Sequence, residues 1–457
     1  MDWMPTLKDR SGPAYLRIVE ALTEDIASGR LRRGQHLPTH RELARSLGLD
    51  LTTITRAYAE AKKRGLTIAR VGQGTFVAES RLQAIPEPIT PAFDLSMNLP
   101  PQPADADIEG RITRGIGAIQ REGGLAACLN YLEPGGSPDE RTRVAEWLRP
   151  RLPHAEADRV LITPGTQNAL LSILLTLTSP GDVILTEPLT YPGLKAVAEI
   201  ARLNLVGVTT DALGPLPDAL STAIRKHRPK ALYLVPTIHN PTTVTVPLRR
   251  RKAIADVLER SGVPIIEDDA YGLLDPSAVP FAALIPHLAF TAVSLSKCVS
   301  PGLRLSLLQV PNAEAAVRVS EGVRASAQMT TGLMLTLALR WIADESINEI
   351  ITSVRTEAAE RQKLAAKALT GHAYKAHPQG HHMWLQLPLP WNRFDFAVHV
   401  HRLGIGVVTS DAFAVTEPAP NAIRVALGAA KSRQELFSAL DVLAACLRSG
   451  GSGNRVI

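Results

Sequence analysis

The residues with the clearest chemical potential surround one lysine, Lys297. A short apolar run, residues 290–293, precedes it, with hydroxyl groups nearby at Ser294 and Ser296 and an arginine, Arg304, seven positions beyond it. A lysine amine can hold an aldehyde as a Schiff base, and an arginine fork can hold a phosphate group. These residues could therefore hold an aldehyde cofactor that carries a phosphate, although the alternative is a lysine that is simply solvated in a polar loop.

A second candidate group is the acidic stretch 267–269, which ends an apolar run that begins at Val263. A carboxylate at the end of a buried strand needs a partner, because an isolated buried charge is costly. Asp268 could accept a hydrogen bond from a protonated ring nitrogen and make that ring an electron sink. Tyr271, three positions further on, could donate to a phenolic oxygen of the same ring.

Polar and aromatic residues also follow three other apolar runs. The turn 163–168 opens a helical stretch, whose first N–H groups could bind a phosphate together with Thr166 and Gln167. The ring of Tyr191 could stack on a cofactor, and Asn240 could donate to its phenolic oxygen. Each feature has an ordinary alternative: a plain β–α turn, a tyrosine that only packs, and an Asn-Pro turn.

The elements that must position these residues form one repeating pattern, in which short apolar runs alternate with helical stretches. Such alternation predicts βα crossovers and a mostly parallel sheet that is covered on both faces. Ligands of such sheets bind beyond the carboxyl ends of the strands, where the polar residues fall. The seven candidate strands are residues 160–163, 183–186, 205–208, 231–235, 263–268, 290–294 and 305–310.

The first 80 residues have a different pattern. Apolar residues recur at helical spacing over 15–26, and two further helical stretches, 41–46 and 51–63, are separated by a turn with Gly48. Two short helices around a glycine-containing turn are typical of a helix-turn-helix. Residues 66–77 then predict a β-hairpin with a glycine turn.

This N-terminal unit is also basic. Residues 1–80 hold 13 Lys and Arg against 9 Asp and Glu, so +4 of the formal net charge of +6 lies there. Local positive charge favours an anionic partner such as DNA, although a solvated surface is the alternative. Hydroxyls and arginines on these helices could reach phosphates and a guanine edge, and a wing glycine could approach the minor groove. The candidate contacts are Thr39, Arg41, Thr52, Thr53, Arg56 and Gly74.

Two signatures in this unit resemble those of GntR-type winged helix domains. Residues 29–48 match the pattern G-x-L-x-x-G-x-x-L-P-[ST]-x-R-x-L-A-x-x-L-G, and residues 72–77 match the wing pattern G-x-G-T-[FY]-V. The resemblance implies that residues 1–80 form a winged helix-turn-helix domain that binds a double-stranded DNA operator.

The remainder of the chain resembles the aminotransferases of fold type I. Residues 294–304 match their pattern S-x-S-K-x-x-x-P-G-x-R, and the other candidate residues follow in the family's order. The resemblance implies pyridoxal 5′-phosphate (PLP) on Lys297. It further implies a substrate-carboxylate role for Arg424 and a homodimer in which Tyr131 reaches the partner's phosphate. The cofactor residues so implied are Gly165, Thr166, Gln167, Tyr191, Asn240, Asp268, Tyr271, Ser294, Ser296, Lys297, Arg304 and Tyr131.

A GntR-type domain joined to an aminotransferase-like region resembles the MocR subfamily of bacterial transcription regulators. The resemblance implies a winged helix-turn-helix (1–80), a linker (81–95), a large PLP-binding α/β domain (96–310) and a helical connection with a small α+β domain (311–457). The implied function is a PLP-dependent, DNA-binding regulator that senses an amino acid or PLP at Lys297. The alternatives are a working aminotransferase with an incidental head and a cofactor-free relic.

Two departures from the aminotransferase pattern, Thr243 and Ser306 in place of glycines, bear on substrate fit more than on cofactor binding. Composition agrees with a cytoplasmic protein. No run of about 18 apolar residues predicts a membrane span, and no secretory signal is visible. Three distant cysteines (Cys128, Cys298 and Cys446) argue against a disulfide framework or a zinc site, so no metal is expected.

Overall fold

The computed structural model describes residues 3–7, 13–28, 30–31, 34–63, 66–70, 74–77 and 91–448. The chain divides into two compact units, Met1–Thr90 and Pro91–Ile457, which we call the head and the body. Residues 81–90 of the predicted linker and residues 71–73 of the predicted hairpin turn lie outside the described residues.

The head is a winged helix-turn-helix, as the sequence predicted. Thr39 and Glu42 cap the second helix reciprocally: the Glu42 N–H donates to Thr39 Oγ1 at 3.3 Å, and the Thr39 N–H donates to the Glu42 carboxylate at 2.7 Å. Gly48 ends that helix in the left-handed conformation, with φ of 63°. The elements are α1 (Ala14–Ala27), α2 (His40–Leu47), α3 (Leu51–Lys63), β1 (Thr67–Arg70) and β2 (Gly74–Val77), with β1 antiparallel to β2.

The body starts with a short strand and continues with the alternation that the sequence predicted. Its first part contains β3 (Phe93–Asp94), α4 (Ile108–Arg121), α5 (Pro138–Leu148), β4 (Val160–Thr163), α6 (Thr166–Leu177), β5 (Val183–Thr186), α7 (Pro192–Ile200), β6 (Asn204–Gly207), β7 (Thr210–Asp211), β8 (Gly214–Pro215), α8 (Pro217–His227), β9 (Ala231–Leu234), α9 (Leu248–Ser261), β10 (Ile265–Asp268), β11 (Ala289–Ser294) and β12 (Ser306–Gln309).

Seven of these strands form one sheet in the order β4-β12-β11-β10-β9-β5-β6. Only β12 runs antiparallel to its neighbours, so the predicted seven-stranded, mostly parallel sheet is confirmed. Every residue of β9, β10 and β11 is buried, as expected of strands covered on both faces. The strand β10 begins at Ile265, two residues later than predicted, because Pro264 has no N–H to add to the ladder.

The last part of the body packs a four-stranded antiparallel sheet against helices. Its elements are α10 (Ala313–Ala327), α11 (Gly332–Ala343), α12 (Ser346–Ala368), β13 (Tyr374–Ala376), β14 (His382–Gln386), α13 (Arg393–Arg402), β15 (Ile405–Gly406), β16 (Val408–Thr409), β17 (Ala422–Ala426) and α14 (Arg433–Arg448). The sheet order is β13-β14-β17-β16. The strand β3 pairs in parallel with β15, so residues 93–94, which the sequence assigned to the linker, belong to the body.

Candidate cofactor and DNA-binding sites

A cavity of about 350 Å³ lies where the central strands of the large sheet end. Ten of the predicted cofactor residues line it, namely Thr166, Gln167, Tyr191, Asn240, Asp268, Tyr271, Ser294, Ser296, Lys297 and Arg304. The predicted carboxylate-binding Arg424 lines it as well. The fold thus brings together residues that are spread over more than half of the body, because parallel strands end at one edge of their sheet.

Lys297 stands just past β11 and donates from Nζ to the backbone oxygen of Asn98 at 2.5 Å. Removal from water and, to a smaller extent, the positive charge of Arg424 lower the pKa of this amine to about 8, and the negative charge of Asp268 opposes the shift. A neutral amine is the nucleophilic form of lysine, and desolvation is an ordinary way to make it accessible near neutral pH. The lowered pKa of Lys297 therefore favours attack of its amine on an aldehyde.

Asp268 ends β10 with one carboxylate oxygen bonded and the other free. Tyr233 donates from its hydroxyl to Oδ2 at 2.8 Å, whereas Oδ1 is buried and has no hydrogen-bond partner among the described residues. Burial raises the pKa of Asp268 to about 6, although the hydrogen bond from Tyr233 lowers it in part. A buried acceptor of this kind fits a ring N–H donor, which the pyridinium of PLP would supply.

The phosphate end of the cavity is formed by Arg304 and the first turn of α6. Gly165 precedes this turn with φ of 86°, and a Cβ at that position would come within 3.0 Å of the Arg304 guanidinium. Thr166 donates to Ser306 Oγ at 3.3 Å, and Gln167 donates to the backbone oxygen of Gly193 at 2.9 Å. Free N–H groups at a helix start beside a guanidinium form a cradle for a phosphate.

The wall of the cavity also includes Arg424, on the buried strand β17. Its guanidinium donates to Asn240 Oδ1 at 3.0 Å and to the backbone oxygen of Ser96 at 2.5 Å, and it stands 5.1 Å from the ring centre of Phe413. These acceptors are neutral, and its Nε has no partner among the described residues. An arginine held in this way can still take a carboxylate.

Sequence reasoning missed two residues of this site. The side chain of Asn98 donates to the hydroxyl of Tyr271 at 2.7 Å and lies 3.2 Å from His382 Nδ1, so it anchors the tyrosine while its backbone oxygen holds Lys297. Tyr233 holds Asp268. A tyrosine inside an apolar strand signals a buried hydroxyl that needs a partner, so Tyr233 could have been found. Asn98 lies in an irregular stretch without any such signal.

Tyr131 does not line the cavity of its own chain. It follows the short segment 127–129, and 86% of its surface is exposed. A side chain so exposed is free to contact another molecule, and its predicted role in a partner's site stays a prediction.

The candidate DNA contacts are mostly on the surface of the head. Arg41, Thr52 and Arg56 are exposed, and Thr53 is half-buried. The Arg56 guanidinium lies 4.5 Å from the ring centre of Tyr15, and Asp50 accepts from the Thr52 hydroxyl at 2.5 Å. These contacts orient the side chains without burying them, as a surface that must reach DNA requires.

Two of the predicted contacts also have structural explanations. The hydroxyl of Thr39 accepts the capping hydrogen bond of α2, so this residue stabilises the helix whether or not DNA is bound. Gly74 has φ of 103°, and a Cβ there would overlap the ring of His36. The glycine is therefore required by the packing of the wing, in addition to any approach to the minor groove.

Within the described residues, no helix is long and apolar enough to cross a membrane. The same part of the chain contains no group of His, Cys, Asp or Glu that could hold a metal ion.

Residues 91–443 match the aminotransferase class I and II family, and residues 14–77 match the gntR family of bacterial regulatory proteins. The chain therefore belongs to the aminotransferase class I and II family and carries a gntR-type head, the two-part composition of the MocR subfamily. The cofactor of these aminotransferases is PLP, and the residues of the cavity fit it. The predictions of family, fold and cofactor are thus confirmed.

Several proteins are similar over most of the chain. The HTH-type transcriptional regulator YdeF of Bacillus subtilis, described as uncharacterized, is 30% identical over 97% of this chain and 96% of its own. The vitamin B6 salvage pathway transcriptional repressor PtsJ of Salmonella typhimurium is 28% identical over 91% and 94%, respectively. Among solved structures, LysN, an α-aminoadipate aminotransferase from Thermus thermophilus complexed with N-(5′-phosphopyridoxyl)-L-leucine, has a TM-score of 0.70 at 22% identity, over 78% of this chain and 92% of LysN.

Proposed function

We propose that this protein is a PLP-dependent transcription regulator whose body senses an amino acid, or PLP itself, at Lys297 and whose head binds operator DNA. One observation carries the sensing role: the unpartnered buried Oδ1 of Asp268 lies in the same cavity as an amine of lowered pKa and a carboxylate-binding arginine. The similar regulators of Bacillus subtilis and Salmonella typhimurium support the DNA-binding role. Such a protein would act in the cytoplasm.

When bound, PLP supplies an aldehyde carbon that reacts with amines and a ring that withdraws electrons. The residues of this chain position that chemistry. Asp268 would hold the ring nitrogen, and Tyr191 would stack on the ring face. Arg304, Gly165, Thr166, Gln167, Ser294 and Ser296 would hold the phosphate, and Tyr271 and Asn240 would donate to the phenolic oxygen. Lys297 would bind the aldehyde and, once displaced, move a proton at its Nζ.

The effector would be held by Arg424. Its guanidinium now rests on two neutral oxygens, and an α-carboxylate would offer a charged, bidentate alternative. Exchange of these partners would move β17 relative to Asn240, which lies in the loop after β9. A ligand can change DNA binding only to the extent that it prefers one of two arrangements of the protein, so this rearrangement is the differential contact that sensing requires.

We further propose a homodimer in which each Tyr131 completes the phosphate site of the other protomer. The exposure of Tyr131 and its absence from the cavity of its own chain support this proposal. Two heads on one dimer would read two half-sites at a fixed spacing. In this proposal the head reads DNA and the body binds the ligand.

The test combines two measurements on the purified, full-length protein. PLP should give a visible absorbance band that is absent from the Lys297→Ala variant, and one or a few amino acids should shift that band. The same compounds should change the affinity for DNA from upstream of the protein's own gene in a mobility-shift assay. An unchanged DNA affinity with every compound that shifts the band would contradict the sensing role.

The competing function is that of a working aminotransferase, and the observation that favours it is that all the catalytic residue types line one cavity. Turnover of an amino acid with a keto acid at about 1 s⁻¹ or faster, an ordinary enzymatic rate, would support this alternative. A regulator requires only binding and slow exchange.

A further inference from the structure

A second cavity, of about 300 Å³, shares Val235 as a wall with the cofactor cavity. None of the residues that we assign to the cofactor, the effector or DNA lines it. Its wall is mostly apolar, with Pro188, Leu189, Val244, Val246, Pro418 and Pro420 among its members. Its size lies at the lower end of the range of ligand pockets, roughly 300 to 1,000 Å³.

Two buried polar groups in the wall of this cavity lack partners. Glu187 and His239 are each only 5% exposed, and neither Glu187 Oε2 nor His239 Nε2 has a hydrogen-bond partner among the described residues. The two side chains do not satisfy each other, because His239 Nε2 lies 3.8 Å from Glu187 Oε1. Both unpartnered groups therefore remain available to a molecule in the cavity.

The protonation states of the two groups follow from their surroundings. Burial raises the pKa of Glu187 to about 8, although backbone N–H groups of Glu187 and Val235 lower it in part. Burial also lowers the pKa of His239 to about 4, although an interaction with the backbone of Leu189 raises it in part, so its ring is neutral. The Thr242 N–H points at His239 Nδ1 at 3.3 Å, and the Thr242 hydroxyl, which can donate as well, lies 2.8 Å from the same atom. With Nδ1 as the acceptor of these contacts, the ring hydrogen is on Nε2. The cavity thus offers one carboxyl group and one N–H donor.

The acid–base groups of the wall favour a cation over an anion. The other charged side chains that line the cavity are Asp211 and Lys375, both exposed, and Asp211 already pairs with Arg250 at 2.8 Å. The one acidic group of this wall that is buried and keeps an unpartnered oxygen is therefore the carboxyl of Glu187, which is mostly protonated at neutral pH while no cation is near. Ionisation of a buried carboxyl is costly without a positive partner, and a ligand ammonium group would provide that partner and favour the ionised form.

We propose that this cavity is a second ligand site, which takes a small organic ammonium compound with an apolar body. The ammonium N–H would donate to Glu187 Oε2, and the apolar body would contact the prolines and valines of the wall. His239 would donate from Nε2 to an acceptor atom on the ligand, which gives the site a preference for amines that also carry a hydroxyl or carbonyl group.

A ligand in this cavity would lie beside a contact between two segments of the body, one that follows a strand of the large sheet and one that precedes a strand of the small sheet. The segment 188–190 pairs with the segment 413–415: the Thr190 N–H donates to the backbone oxygen of Phe413 at 2.8 Å, and the Val415 N–H donates to that of Pro188 at 2.9 Å. The ring of Phe413 in turn lies under the guanidinium of Arg424. A ligand at this site is therefore close enough to influence the position of Arg424, which would hold the effector.

Calorimetric titration of the full-length, PLP-loaded protein with N,N-dimethylbutylamine tests the proposal. This amine is cationic at neutral pH and, being tertiary, cannot form an imine with the cofactor aldehyde. We expect one binding site per chain and an affinity at least about tenfold higher than that of n-hexanol, which is similar in length but uncharged. Equal affinity for the two compounds would show that no charged group recognises the ligand.

Variants locate the site. Glu187→Gln keeps the size of the side chain and should weaken amine binding about tenfold or more, whereas Glu199→Gln, on the exposed surface of α7, should leave it unchanged. Val244→Phe, which fills the cavity and keeps the carboxyl, should also abolish binding, and thermal unfolding checks that both variants are folded. Undiminished binding to Glu187→Gln would overturn the proposal. The titration is repeated on cofactor-free protein, where the amine should still bind. This shows that binding in the second cavity does not depend on PLP or on the proposed role of Lys297.

Discussion

The head and the body place their candidate functional residues in opposite settings. In the body, Asp268 and Arg424 are buried, and each has a polar atom without a partner among the described residues. In the head, Arg41, Thr52 and Arg56 are exposed, so water can satisfy them. A buried unsatisfied group destabilises the protein until a ligand pairs with it, whereas an exposed group does not. Substitutions should therefore trade stability against binding in the body and change binding alone in the head.

Asp268→Asn is the strongest test of this contrast. We expect the affinity for PLP to fall by about 1.5 to 3 kcal/mol, roughly 10- to 150-fold, because the ring N–H loses a charged acceptor. Equilibrium dialysis measures this loss. The same variant should stabilise the cofactor-free protein, because an amide carries no charge that burial penalises.

The stabilisation should depend on pH in a defined way. The folded pKa of Asp268 is about 6, above the ordinary value of 3.8, so the folded state holds a proton that the unfolded state releases between these values. The loss of stability that comes from burying the charged form of Asp268 is absent below about pH 4, grows as the pH rises to about 6 and is complete above it. At neutral pH the variant should gain roughly 1 to 3 kcal/mol in free energy of unfolding. The exposed control Asp158→Asn should show neither effect, and a destabilised Asp268→Asn would contradict the argument.

Much of the body could be predicted from its sequence, because its strands are short β-branched runs and its functional residues follow them directly. Asp268, Lys297 and Tyr191 were found in this way, since the ends of parallel strands converge. Asn98 could not be found, because its contact with Tyr271 joins residues 173 positions apart and no local pattern encodes it. The second cavity was missed for the same reason: Glu187 and His239 follow different strands, and each is unremarkable alone.

Arg56→Ala tests the other side of the contrast. Loss of a guanidinium that contacts a base or a phosphate should weaken binding to the upstream DNA by about 1 to 3 kcal/mol. The free energy of unfolding should change by no more than about 0.5 to 1 kcal/mol, because the side chain loses only an exposed contact with Tyr15. Mobility-shift assays at fixed salt measure the first effect, and Arg225→Ala, an exposed change on the body, serves as the control.

The head was predictable for a different reason, namely that its caps and turns are local. Thr39, Glu42 and Gly48 fix the ends of α2 through contacts within a few residues of sequence, so the pattern alone locates the helix. Only one of the two structural reasons for Gly74 could be predicted from the sequence. Its positive φ could be anticipated from the turn, but its packing against His36 depends on how the wing folds back on the segment before α2.

A third prediction concerns pH and the lysine of the body. With a pKa of about 8, Lys297 is mostly protonated at pH 7 and mostly neutral at pH 9, so its neutral fraction rises roughly tenfold between them. We expect the rate of PLP capture, followed by stopped-flow absorbance, to rise by about that factor and then level off. A rate that keeps rising until about pH 10.5 would indicate an exposed, unperturbed amine instead.

The smallest expected effect concerns Thr39, where the two settings overlap. Thr39 is exposed like most of the proposed DNA contacts, yet its hydroxyl caps α2, so Thr39→Ala should destabilise that helix by about 1 kcal/mol. Hydrogen exchange of the α2 amides in the full-length protein measures the loss. Thr39→Ser keeps the capping oxygen and should restore both protection and DNA affinity. If serine restores the protection and the DNA affinity stays low, the threonine methyl itself contacts DNA. Thr39 would then serve both the stability of α2 and the binding of DNA.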